Sequence, residues 1–126
     1  MKNSIPPMVF ALSFLLLVGS GSTVSAQSEI PENVSQILKT SCFDCHSTGA
    51  RNEDAREALN FEKWDGYRLT KKVGLLGDIS KLVGEEKMPP AKYLGFKPDR
   101  KLSGEQSKLL IEWADKEAEK ILEGKE

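Results

Sequence analysis

Two cysteines three positions apart, with the chain's single histidine directly after the second, constrain this sequence more than any other feature: Cys42-Phe43-Asp44-Cys45-His46. Residues three apart on a helical turn project from one face. Two thiols so placed can reach two neighbouring groups on one edge of a flat molecule, while the next residue sets an imidazole beneath its centre. A porphyrin carries two vinyl groups on one edge and an iron at its centre, and C-x-x-C-H is the spacing of c-type heme attachment. The motif predicts one covalent heme (heme c), bound through Cys42 and Cys45, with His46 on the iron.

Plainer readings of the same residues are a redox disulfide, half of a zinc site, or an ordinary core histidine. A thioredoxin-like disulfide follows a strand in a βαβ unit, and no alternating strand pattern occurs here. A structural zinc site takes four Cys or His ligands, and two Cys and one His are all the chain has.

The N-terminus sets the compartment. Lys2 precedes an apolar run from Val9 to Val18, and small residues end in Val24-Ser25-Ala26, the layout of a signal peptide cut before Gln27. The apolar run is well short of the roughly 20 residues a spanning helix needs. Residues 1–26 are therefore expected to be a signal peptide and residues 27–126 a single domain, periplasmic or otherwise exported. No Cys lies near Ala26 to carry a lipid anchor. Losing Lys2 leaves 17 basic and 19 acidic residues, a balance that argues against nucleic acid as a partner. A domain of about 100 residues buries little core, so a covalently held macrocycle is expected to be part of it.

Periodicity along the mature chain is helical. Val34, Ile37, Leu38 and Cys42 recur by threes and fours behind Pro31, which predicts a helix running into the cysteine motif. Ser47 to Ala50 read as a loop, and Asn52 to Leu59 as a short helix capped by Asn52. Asn60 to Tyr67 read as irregular. Leu69, Val73, Leu76, Ile79 and Val83 predict a helix stopped by Gly84, despite Gly74 and Gly77 within it. Glu85 to Lys101 carry Pro89, Pro90, Gly95 and Pro98, which predict a long loop without regular structure. Ser103 and Gln106 spell a capping box ahead of a last helix with Leu109, Leu110, Trp113, Ala114, Ile121 and Leu122 on one face and Gly124 beyond it. The fold class is all-α, a helical domain wrapped around one heme.

The sixth iron ligand follows by elimination. Met1 and Met8 leave with the signal peptide, so Met88 is the remaining thioether, and His with Met is a common axial pair in cytochromes c. The prolines after it bias Met88 toward extended backbone and stiffen the loop. The plainer reading is a gap-filling core methionine. Phe61, Trp64, Tyr67, Tyr93 and Phe96 are candidates to cover the macrocycle or bond its propionates, with ordinary core packing as the alternative for each. Arg68, Lys71, Lys72 and Lys92 are candidates to pair with propionates or a partner, with plain solvation as the alternative.

With these residues in hand the chain resembles class I cytochromes c: heme motif near the start, a Met-Pro loop late, and a terminal helix able to pack on the first. More closely it resembles the small bacterial heme-binding domain proteins, through Cys42 to Ser47, Leu59-Asn60-Phe61 with Trp64, Met88-Pro89 with Tyr93, and Leu102-Ser103 with Leu110 and Trp113. It departs at one point. Class I cytochromes carry a proline after the heme motif whose carbonyl accepts the imidazole hydrogen bond, and here no proline occurs between His46 and Met88. A backbone carbonyl of the Ser47 to Asn52 loop is expected to serve instead.

These readings predict an exported monoheme c-type cytochrome, not an enzyme, that passes single electrons between redox partner proteins under His46 and Met88. No stable membrane span is expected after signal cleavage. The alternative is a heme-based ligand sensor or peroxidase-like protein with an open or displaceable sixth position. A thiol oxidoreductase using Cys42 and Cys45 is the third reading.

Overall fold

The computed structural model describes residues 30–124, so the expected signal peptide, with Met1 and Met8, lies outside the described residues. The domain is built from helices, as the periodicity requires. Helix α1 spans Glu32–Ser41, α2 Glu53–Ala58, α3 Leu69–Gly84, α4 Ala91–Phe96 and α5 Gly104–Leu122, with 3-10 turns at Phe61–Gly66 and Pro98–Arg100. No helix among the described residues is long and apolar enough to cross a membrane.

Local chemistry sets the boundaries. Pro31 precedes α1, where its missing N–H costs nothing, and Glu32 and Lys39 sit at the ends whose partial charges they oppose. Asn52 caps α2 by accepting the Ala55 N–H at 3.1 Å. Ser103 and Gln106 form both halves of the capping box on α5, with bonds of 2.9 and 3.1 Å. After Leu122 the chain turns left-handed at Gly124 (φ 67), the usual ending for a helix.

Two segments expected to be irregular are ordered. Asn60 caps the Phe61–Gly66 turn by accepting the Glu62 N–H at 3.0 Å. The segment from Glu85 to Lys101 holds α4 and the second 3-10 turn. Its prolines do not break these elements because they stand at their starts: Pro90 directly precedes α4 and Pro98 opens the turn.

The core forms where α3 lies along α5, with Leu76, Leu110 and Ala114 wholly buried at 0% exposure. Helix α1 crosses α5 through a smaller contact and adds Val34, Ile37 and Leu38. The last helix therefore meets the first, as expected, but its principal partner is α3. Each fully buried Leu contributes about 1.5–3 kcal/mol of hydrophobic stabilisation. The Phe61–Gly66 turn inserts Phe61 and Trp64, the latter 6.0 Å from Trp113, centroid to centroid. This arrangement leaves the opposite face of α3 bordering a cavity.

Candidate functional site

The Cys42 to His46 motif continues the end of α1 as a helical turn. The Cys42 N–H donates to the Leu38 carbonyl at 2.8 Å, and the N–H groups of Cys45 and His46 donate to the Cys42 carbonyl at 3.1 and 3.0 Å. Both cysteines are free thiols and half-buried. The turn is pinned from outside: the Phe61 N–H donates to the His46 carbonyl at 3.0 Å, and the Phe43 and Phe61 rings stack at 5.8 Å. Asn60, 1% exposed, donates from Nδ2 to Thr48 Oγ1 at 3.2 Å, and its own N–H donates to Tyr67 Oη at 3.0 Å.

His46 Nδ1 lies 2.9 Å from the Ala55 carbonyl oxygen and 3.0 Å from that of Leu59. Both partners are acceptors, so Nδ1 carries the proton, and in the neutral ring Nε2 holds the lone pair a metal takes. The orienting carbonyls come from α2 and its end rather than from the Ser47 to Asn52 loop. The Leu59 carbonyl lies just past the end of α2, and the Ala55 carbonyl, which accepts the Leu59 N–H at 3.1 Å, takes the imidazole proton on its second lone pair.

One apolar cavity of about 240 Å³ brings the four expected residues together: Cys42, Cys45, His46 and Met88 all line it. Its walls come from α1 (Leu38), α2 (Ala55, Ala58), α3 (Leu75, Ile79, Leu82), α5 (Leu110) and the strap Met88-Pro89-Pro90 with Tyr93. Met88 is half-buried, and its N–H donates to the Leu82 carbonyl at 3.2 Å. Asp44 and Asp78 are the carboxylates on the lining.

Of the expected aromatic residues, Phe61 and Tyr93 line this cavity. Trp64 is a core residue against Trp113, Tyr67 accepts the Asn60 N–H, and Phe96 is 81% exposed. The basic candidates lie off the lining. Lys71 Nζ sits over the Tyr67 ring at 4.2 Å and Lys72 Nζ is 5.9 Å from the Trp64 ring centre.

Burial, with the neighbouring Cys45 adding to it, pushes the Cys42 thiol up to about 12. Cys42 also caps the C-terminal, electronegative end of α1, whereas a reactive thiolate is normally favoured at a helix N-terminus. Among the described residues, no three His, Cys, Asp or Glu side chains gather as a metal-ion site. The thiols and the imidazole line one surface instead of converging on a point. That arrangement suits a large flat ligand: two thiols at its edge, one imidazole and one thioether as iron donors, and apolar walls.

The profile of the family described as Haem-binding domain matches residues 50–116. This chain belongs to the Haem-binding domain family. No curated protein and no solved structure matches it. The Haem-binding domain match runs from just before α2 well into α5, and so takes in Ala55, Leu59, Met88 and Tyr93. It begins after His46, so the cysteine motif stands on its own spacing and on its place in the cavity.

Asp44, Asn52, Ala55 and Leu59 are site residues that sequence reasoning did not single out as such. Asp44 carried the one available signal, a charged side chain inside the Cys-x-x-Cys-His motif.

Proposed function

We propose that this heme-binding protein is an exported monoheme c-type cytochrome that carries single electrons, with heme bound through Cys42 and Cys45 and ligated by His46 and Met88. One observation supports this reading above the others: the two thiols, the imidazole and the mature chain's one thioether line the same apolar cavity.

A heme bound there would supply an iron that gains and loses one electron. The chain's own residues then have separable tasks. The Cys42 and Cys45 thiols, free and on one turn, are available for thioether formation. The Ala55 and Leu59 carbonyls hold the Nδ1 proton and so leave the Nε2 lone pair of His46 for the iron. Met88 offers a soft sulfur, which raises the potential relative to harder ligands. Leu38, Leu75, Ile79 and Leu82 keep water from the cavity, a second control on potential. A redox partner protein is the implied donor or acceptor.

Absorption spectroscopy of the oxidised and reduced holoprotein, with Met88→Ala beside it, tests this function. The wild type is expected to show the far-red charge-transfer band of ferric iron bound to methionine sulfur, and to bind carbon monoxide slowly. Met88→Ala is expected to keep its heme, lose the band and show a lower potential. A wild type without the band that binds carbon monoxide or cyanide readily would replace the carrier with the ligand-sensor or peroxidase-like alternative.

A further inference from the structure

The helix that follows Met88 is fastened to the domain in an unusual way. No side chain of α4 is fully buried, and its largest apolar residue, Phe96, is 81% exposed. Hydrophobic burial, the ordinary means of holding a surface helix, is therefore weak here. Polar contacts take its place, and they converge on the heme-attachment segment. Tyr93 Oη donates to Asp44 Oδ2 at 2.8 Å, Lys97 Nζ lies 3.4 Å from the same oxygen, and Arg100 Nη1 donates to the Thr40 carbonyl at 2.7 Å. Segment 93–100 is thus tied to segment 40–44, while Tyr93 and Asp44 both line the cavity.

We propose that Asp44, inside the heme-attachment motif, is a positioning residue that latches the Met88-Pro89-Pro90 strap and α4 over the heme cavity. Asp44 touches neither Met88 nor His46 in this role. It holds Tyr93 and Lys97, and through them the strap that carries the sixth ligand. The same segment that anchors one side of the heme therefore closes the other. Releasing the latch should let the strap open without disturbing the covalent attachment, because the Asp44 carboxylate bonds neither thiol and takes no part in the His46 hydrogen bonds to Ala55 and Leu59. The spectroscopic part of the test rests on the reading of Met88 as an iron ligand; the latch itself does not.

The experiment compares full-length holoprotein with Asp44→Ala, Tyr93→Phe and the double variant. Three quantities are read: amide hydrogen exchange in segment 87–100, the far-red sulfur band, and carbon monoxide association to the reduced protein. Hydrogen bonds to a charged group are among the stronger ones, and this one is partly exposed, so exchange in the strap and the association rate should each rise about tenfold in Asp44→Ala. Exchange in α5 should be unchanged. Tyr93→Phe should act in the same direction, and the double variant should go no further than Asp44→Ala, since removing the Asp44 carboxylate already removes the Tyr93 contact. Should Asp44→Ala fail to accumulate, Tyr93→Phe, which keeps the ring, carries the same readouts. Strap exchange and carbon monoxide association at wild-type levels in every variant would overturn the latch, and a persisting wild-type sulfur band would then leave the ligand reading intact. A wild type lacking the band, with a strap that still loosens in Asp44→Ala, would overturn the ligand reading and support the latch.

Discussion

His46 Nδ1 lies 2.9 Å from the carbonyl oxygen of Ala55, nine residues on, so the imidazole of the heme motif is oriented by a separate helix of only six residues. That helix depends on its cap. Asn52→Ala removes the acceptor for the Ala55 N–H at a cost of about 1 kcal/mol. The holoprotein should melt about 4–8 °C lower. The Nδ1 proton of His46 should also exchange faster with solvent, seen by proton NMR of the reduced form, because the carbonyls that hold it become mobile. An unchanged Nδ1 exchange rate alongside a lowered melting temperature would mean that α2 stabilises the fold without orienting the ring.

Core packing and heme attachment should separate under mutation. Leu76 is 0% exposed between α3 and α5, and Leu76→Ala should cost about 3 kcal/mol in a urea titration of the holoprotein. Covalent heme should remain, since Leu76 is not on the cavity lining. Leu122, 73% exposed at the end of α5, is the control, and Leu122→Ala should stay within about 0.5 kcal/mol of wild type.

The loop after the motif carries a pH dependence. The Thr48 N–H donates to Glu62 Oε2 at 2.7 Å and holds the Glu62 carboxyl below its ordinary range. A carboxyl whose folded pKa is depressed adds stability above its unfolded value, about 4.3, and that contribution is lost as pH falls through the folded value. Wild type should therefore exceed Glu62→Gln in stability by a constant margin above about pH 5. The margin should shrink steadily below about pH 4.3. Urea midpoints measured from acid to neutral pH check this, and a margin that persists at the acid end would show that Glu62 acts by shape rather than charge.

How far the sequence reaches depends on whether the controlling interaction is local. Asn52 with Ala55, and Ser103 with Gln106, act across three residues, and both caps were legible. The helical turn of Cys42 to His46 was legible for the same reason, and Met88, singled out by counting thioethers, lies on the cavity lining. Helix α4 was not, because Pro89, Pro90 and Pro98 read as breakers until their positions relative to the helix start are known. The Tyr93 to Asp44 contact spans 49 residues, and nothing local announces it. The acceptors for His46 were missed because the Ser47 to Asn52 loop is nearer in sequence, while the Ala55 and Leu59 carbonyls are nearer in space.

The central claim is that heme is covalently held by Cys42 and Cys45. Intact-mass measurement under denaturing conditions tests it most directly, on protein produced by an exporting host that matures c-type cytochromes. The account predicts a single species with the mass of residues 27–126 plus one heme, shifting to the heme-free mass in a Cys42→Ala/Cys45→Ala double variant. Wild-type protein that sheds its heme on denaturation and weighs no more than its polypeptide would contradict it.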